Sequence, residues 1–141
     1  MKVSTKGRYA LRVMVDLAMY DNGEYISLKD IASRQDISIK YLEQIMRLLT
    51  TAGLVRSARG ANGGYRLVKK SNEYTVKDIL QVSEGNLALV ECVESDTYCG
   101  RCSDCATRSL WKGLNEQIDK YLASFTIQDL VDNNSNFDYI I

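Results

Sequence analysis

The chain has 141 residues with no Pro, no His, four Cys and 45% hydrophobic residues, the size of one compact domain with at most an appendage. A charged fraction of 26% beside ordinary apolar content excludes a disordered chain, and the missing imidazole excludes Ser–His and Cys–His nucleophile systems. The net charge of zero conceals opposite halves: residues 1–70 hold 13 Lys and Arg against 6 Asp and Glu, a balance of +7, and residues 71–141 hold 5 against 12, a balance of −7.

A basic half is what a polyanion-binding surface needs, because neutralising phosphates releases condensed counterions. No stretch approaches the ~18 apolar residues of a membrane span, and the first residues lack the apolar run of a signal peptide. The expectation is a cytoplasmic protein without membrane contact, with cysteines kept reduced.

From Thr5 to Asp21, Ala10, Val13, Met14, Leu17 and Ala18 form one stripe of an amphipathic helix, which Asn22-Gly23 stops. Ser27-Leu28-Lys29-Asp30 has the shape of a capping box and opens a short helix to about Arg34. Ser38 caps a third helix whose stripe is Leu42, Ile45, Met46 and Leu49, ending at Gly53. Lys40, Glu43, Gln44, Arg47 and Thr51 then point outward.

A short helix, a turn of about four residues and a longer helix with a polar, partly basic face read as a helix-turn-helix, the second helix of which enters the major groove. A plain bundle is the alternative, and the next segment decides against it. Leu54–Arg59 and Tyr65–Val68 read as two strands around Gly60-Ala61-Asn62-Gly63-Gly64, which makes a wing with Arg59 at its tip, suited to a narrow minor groove. A phosphate-binding loop is set aside because no Lys-Ser/Thr and no helix follow.

Thr75-Val76-Lys77-Asp78 starts a capped helix to about Gly85, packing Val76, Ile79, Leu80 and Val82. Beyond a loop at 86–106, Leu110, Leu114, Ile118, Tyr121, Leu122 and Phe125 mark a helix of about 18 residues. It cannot bury that stripe alone, so the expectation is a homodimer built on this helix, matched to a pseudo-palindromic operator in double-stranded DNA. Folding back on the first helix is the alternative. Thr126-Ile127-Gln128-Asp129 caps a last short helix, and residues 133–141 are expected to form a loose tail.

The expected fold is mainly α with a small β-wing: a winged helix-turn-helix domain at 1–85, a cysteine-rich loop at 86–106, and a dimerisation helix with a terminal short helix at 107–132. Expected DNA contacts are Ser38, Lys40, Tyr41, Glu43, Gln44 and Arg47 at the major groove, with Arg59, Gly60, Gly63, Gly64 and Tyr65 on the wing. Tyr41 is equally suited to helix packing.

All four cysteines, Cys92, Cys99, Cys102 and Cys105, lie within fourteen residues. Thiols gathered on one loop favour a soft metal or an iron–sulfur cluster; structural zinc and a redox thiol switch remain open on spacing alone. An electron carrier is a rival that would leave the basic half without a use, and no nucleotide or flavin fingerprint is present.

Ser4-Thr5-Lys6-Gly7-Arg8-Tyr9-Ala10, Tyr41-Leu42-Glu43-Gln44 and the wing from Leu54 to Tyr65 resemble the Rrf family of winged-helix regulators. The cysteine loop, with Leu110-Trp111 and Thr126–Val131, resembles that family's iron–sulfur cluster regulators. The resemblance spans almost the whole chain. It implies a dimeric transcription factor, not an enzyme, with a cluster held by Cys92, Cys99 and Cys105, [2Fe-2S] favoured over [4Fe-4S] and zinc as the alternative. Where that subgroup has a ligating His, this chain has Arg108, which is always protonated; Cys102 is the additional thiol expected to complete the ligand set. Lys40 replaces a Ser on the DNA-facing surface, so operator preference does not transfer. The family also holds a cysteine-metabolism regulator without the loop cysteines and a nitric-oxide sensor.

Overall fold

In the computed structural model, which describes residues 2–94, 100, 101 and 103–138 and side chains up to residue 134, one device starts helix after helix. A Ser or Thr hydroxyl accepts the backbone N–H three residues on, as Ser4 does from Gly7 (3.1 Å), Ser27 from Asp30 (3.1 Å), Ser38 from Tyr41 (3.2 Å) and Thr75 from Asp78 (3.1 Å). Thr126 does the same for Asp129, whose carboxylate in turn accepts from the Thr126 N–H. The helices are α1 (Thr5–Met19), α2 (Leu28–Gln35), α3 (Ile39–Thr51), α4 (Val76–Glu84), α5 (Arg108–Ala123) and α6 (Ile127–Asp138). The strands β1 (Val55–Ala58) and β2 (Gly64–Leu67) pair antiparallel with Val55 opposite Leu67 and Ala58 opposite Gly64.

The core is the meeting of three stripes. Val13, Met14 and Leu17 of α1, Ile31 of α2, and Leu42, Ile45, Met46 and Leu49 of α3 are all buried in one cluster. Between α2 and α3 the chain turns through Asp36, at φ 53° and ψ 50°, a left-handed conformation that Asp tolerates better than most residues. Buried Ile37 then plugs the turn. Tyr74 closes the base of the wing: its ring is buried, and its hydroxyl donates to the Leu54 carbonyl (2.7 Å) while accepting from the N–H groups of Val68 (3.0 Å) and Lys69 (2.8 Å). Burial pushes the Tyr74 phenol pKa upward, against these two N–H bonds.

The C-terminal end departs from the sequence reading. That reading ended the winged domain near residue 85 and put the last helix with the dimerisation unit. Instead α6 returns to the winged core, with Ile127 fully buried in the same cluster as α1 and α3. The Val76 N–H donates to the Phe125 carbonyl (2.9 Å) and the Ile127 N–H to the Tyr74 carbonyl (3.0 Å), stitching the two helix starts together. Helix α6 also runs to Asp138, so residues 133–138, expected as tail, are helical. The cause is long-range: α6 covers α1, which sequence periodicity cannot register.

Candidate nucleic-acid interface and cysteine segment

Helix α3 presents Lys40, Glu43, Gln44 and Arg47 to solvent, all exposed, at spacings that put them on one face. Ser38 precedes them; its oxygen is used by the Tyr41 N–H, which leaves its O–H to donate outward. Tyr41 is half-buried, its ring edge-to-face with Tyr9 at 5.8 Å, and Arg12 lies 5.0 Å above the Tyr9 ring. The packing alternative therefore describes the Tyr41 ring. Ile39, absent from the sequence-based set, is 48% exposed in the first turn of α3, an apolar side chain of the kind that meets a thymine methyl.

The angle between α1 and α2 is held by a buried charge. Asp16, 1% exposed, accepts from Arg34 Nη2 (2.7 Å), Arg34 Nε (2.9 Å) and Gln35 Nε2 (2.9 Å), and Gln35 in turn accepts from Arg12. These bonds to Asp16 hold the Arg34 guanidinium above its ordinary pKa, and its central carbon lies 3.9 Å from the centre of the Tyr20 ring. Nothing in the sequence marks Asp16, which sits one position off the apolar stripe and finds its partner eighteen residues away.

At the wing, Arg59 and Gly60 are exposed beyond the ladder, with Gly60 at φ 105°. The other two wing glycines have a different origin. A Cβ at Gly63 would strike the Ala58 carbonyl, and one at Gly64 would strike the Ile26 carbonyl. Tyr65 is half-buried against the core, and its backbone pairs with Ile26. Both Gly64 and Tyr65 thus face the helical body at least as much as a groove.

In the cysteine segment, Cys92 lies half-buried in a short turn of 3₁₀ helix (Glu91–Val93), and Cys105 is exposed just before α5. Cys99 and Cys102 lie outside the described residues. Among the described residues no three metal-binding side chains converge. Two bonds tie the segment to α5: Arg108 Nε donates to the Cys92 carbonyl (3.2 Å), and the Leu89 N–H donates to Asn115 Oδ1 (3.0 Å). The Thr107 hydroxyl, then the backbone N–H groups of Thr107 and Arg108, hold the Cys105 thiol below its ordinary pKa. A thiol that gives up its proton readily, on a segment rich in soft donors, fits a thiolate-ligated metal.

Helix α5 buries no residue fully; Leu110, Leu114 and Tyr121 are exposed at 61%, 43% and 65%. Its other side is anchored, since Leu122 and Phe125 pack on the small cluster of Val76, Leu80 and Leu87. Among the described residues no helix is long and apolar enough to cross a membrane.

Comparison with known proteins agrees with this architecture. Residues 3–133 match the family described as Rrf2, iron-dependent transcriptional regulator. The chain is 40% identical to protein rrf2 of Nitratidesulfovibrio vulgaris over 93% of its own length and 87% of the relative's. It is 36% identical to the HTH-type transcriptional regulator IscR of Pectobacterium carotovorum over 98% and 84%. Among solved structures it is similar to CymR, the global cysteine regulator of B. subtilis (TM-score 0.79, 38% identity, 94% and 98% covered). It is also similar to T. potens IscR (TM-score 0.75, 36% identity, 95% and 88% covered). With a winged helix-turn-helix fold and a family match over residues 3–133, the chain belongs to the Rrf2 family of DNA-binding transcriptional regulators and is not an enzyme.

Proposed function

We propose that this regulator works as a homodimer on a pseudo-palindromic operator and adjusts its DNA occupancy through an iron–sulfur cluster, [2Fe-2S] rather than [4Fe-4S], held by Cys92, Cys99, Cys102 and Cys105. The observation that carries the DNA-binding part is the exposed face Ser38, Lys40, Glu43, Gln44 and Arg47 on α3 beside a wing tipped by Arg59 and Gly60. Tyr41 lies at the edge of that face, with Gly63, Gly64 and Tyr65 at the wing's root. The exposed apolar stripe of α5 supports self-association, because Leu110, Leu114 and Tyr121 leave much of their apolar surface open to water on one side of the helix, even though the Tyr121 ring also meets Phe125.

When bound, the cluster supplies a labile, oxidisable group whose presence reports iron–sulfur supply or stress. The chain's own residues carry the consequence outward. Arg108 and Asn115 tie the cysteine segment to α5, and the Lys77–Asp119 ion pair (3.8 Å) ties α5 to α4. A change in order at the segment therefore shifts the population of α5 arrangements, and with it the spacing of two winged heads. Similarity to IscR proteins supports the cluster.

The likeness to CymR favours a second reading, a cysteine-responsive regulator whose loop holds zinc or no metal. An anaerobic absorption spectrum with iron, sulfide and zinc analysis decides. Charge-transfer bands with matched iron and sulfide are expected; a colourless protein with stoichiometric zinc, or no metal after reconstitution, selects the second reading. For the DNA-binding part, Arg59→Ala is expected to weaken operator binding by about 1–3 kcal/mol, read by fluorescence anisotropy at several salt concentrations.

A further inference from the structure

We propose that Arg66 is a positioning residue that straps the wing to the helical body, so that Arg59 is presented at a fixed place relative to α3. This rests on the reading that the wing meets DNA. Strands of four residues make a ribbon that is marginal by itself in water, so something outside the ladder must set its angle.

Three contacts along one edge of β2 do so. The Ile26 N–H donates to the Tyr65 carbonyl and the Tyr65 N–H to the Ile26 carbonyl, both at 2.8 Å, adding a single residue of the α1–α2 connection as a third rung. Gly64 lets the backbones come together, because any Cβ there would run into the Ile26 carbonyl. Arg66 Nη1 then donates to the Gly23 carbonyl (2.8 Å), with its guanidinium 5.7 Å from the Tyr25 ring centre.

The receiving turn is itself held. Asp21 and Asn22 side chains accept from the Gly23 and Glu24 N–H groups, each at 3.0 Å, and Gly23 adopts φ 85°. Across the ladder Arg66 faces Arg56, a like-charge pair that by itself disfavours pairing. The strap turns one of these two cations toward a neutral carbonyl and an aromatic face, and leaves Arg56 exposed.

The test separates a strap from a phosphate contact. In DNA-free protein, Arg66→Ala is expected to speed amide exchange at Ile26 and Tyr65 by about tenfold, the loss of one charge-assisted bond. Arg66→Met, which keeps an unbranched aliphatic stem, is expected to do the same and serves if the Ala variant folds poorly. On a duplex selected in vitro by the wild-type protein, Arg66→Ala is expected to weaken binding with the salt slope unchanged. In an Arg59→Ala background it is expected to cost nothing further.

Unchanged exchange at Ile26 and Tyr65 overturns the strap. So does an additive loss accompanied by a salt slope lower by about one, the signature of a lost phosphate contact. If Arg59→Ala alone leaves affinity intact, the wing's reading of DNA fails, while the exchange measurement still decides whether Arg66 holds the wing.

Discussion

The winged body and the outer face of α5 are built to different standards. In the winged body, α1, α3, the wing base and α6 share one cluster whose largest members, Met14, Ile45, Tyr74 and Ile127, are sealed from water. On α5 no residue is sealed, and its anchorage to the rest includes Leu122, with Phe125 just beyond the helix, the Lys77–Asp119 ion pair and bonds to the cysteine segment. The first region is finished within the chain. The second is left open to solvent, and self-association is the completion proposed above.

The largest break in that comparison is at Asp16. Asp16→Ala removes the buried carboxylate that accepts from Arg34 and Gln35 and is expected to cost about 3 kcal/mol of stability, the loss of charge-assisted bonds with Arg34 returned to water, read as a shift in the urea midpoint. Tyr74→Phe keeps the ring but removes the bonds of its hydroxyl to the Leu54 carbonyl and to the Val68 and Lys69 N–H groups, leaving Val68 and Leu54 only their long bond to each other (3.5 Å), for an expected loss of about 1–3 kcal/mol.

The Tyr74 contribution also carries a pH signature. Its folded pKa lies above the ordinary value of 10.0, so the folded state holds the proton longer than the unfolded chain does. The stability it adds is complete below about pH 10 and is lost as pH rises past that point toward the folded pKa. Denaturation midpoints of wild type and Tyr74→Phe are expected to draw together over that alkaline range.

Ser38→Ala, which removes the cap of α3, is expected to cost about 1 kcal/mol, measured by thermal unfolding. The smallest effect on folding sharpens the contrast most. Leu114→Asp on the open face is expected to change chain stability by no more than about 0.5 kcal/mol while abolishing the dimer in sedimentation velocity. A large loss of monomer stability, or an unchanged dimer, would erase the distinction between the two regions.

Much of this was legible in the residues themselves. The starts of α2, α3, α4 and α6 are marked by Ser or Thr because the capping bond is local, spanning three residues. The stripes of α1 and α3 were legible for the same reason. What escaped are pairings across the chain: Asp16 with Arg34, Ile26 with Tyr65, and Ile127 with the core. Each joins residues whose local pattern is ordinary. The wing glycines were legible as a turn, but their purpose was not, since only the fold brings the Ala58 and Ile26 carbonyls against them. For the cysteines, clustering gave the chemistry and nothing about geometry.

The return of α6 also bears on the order in which the molecule is made. Helix α1 leaves a ribosome well before part of its apolar cover, including Ile127 and Leu130. Until then the nascent chain carries an open seam, and its contacts of long sequence separation slow the final closure. Synthesis interrupted before residue 127 would therefore yield a chain with recognition helix and wing present but the core unsealed, a product for proteases rather than for promoters.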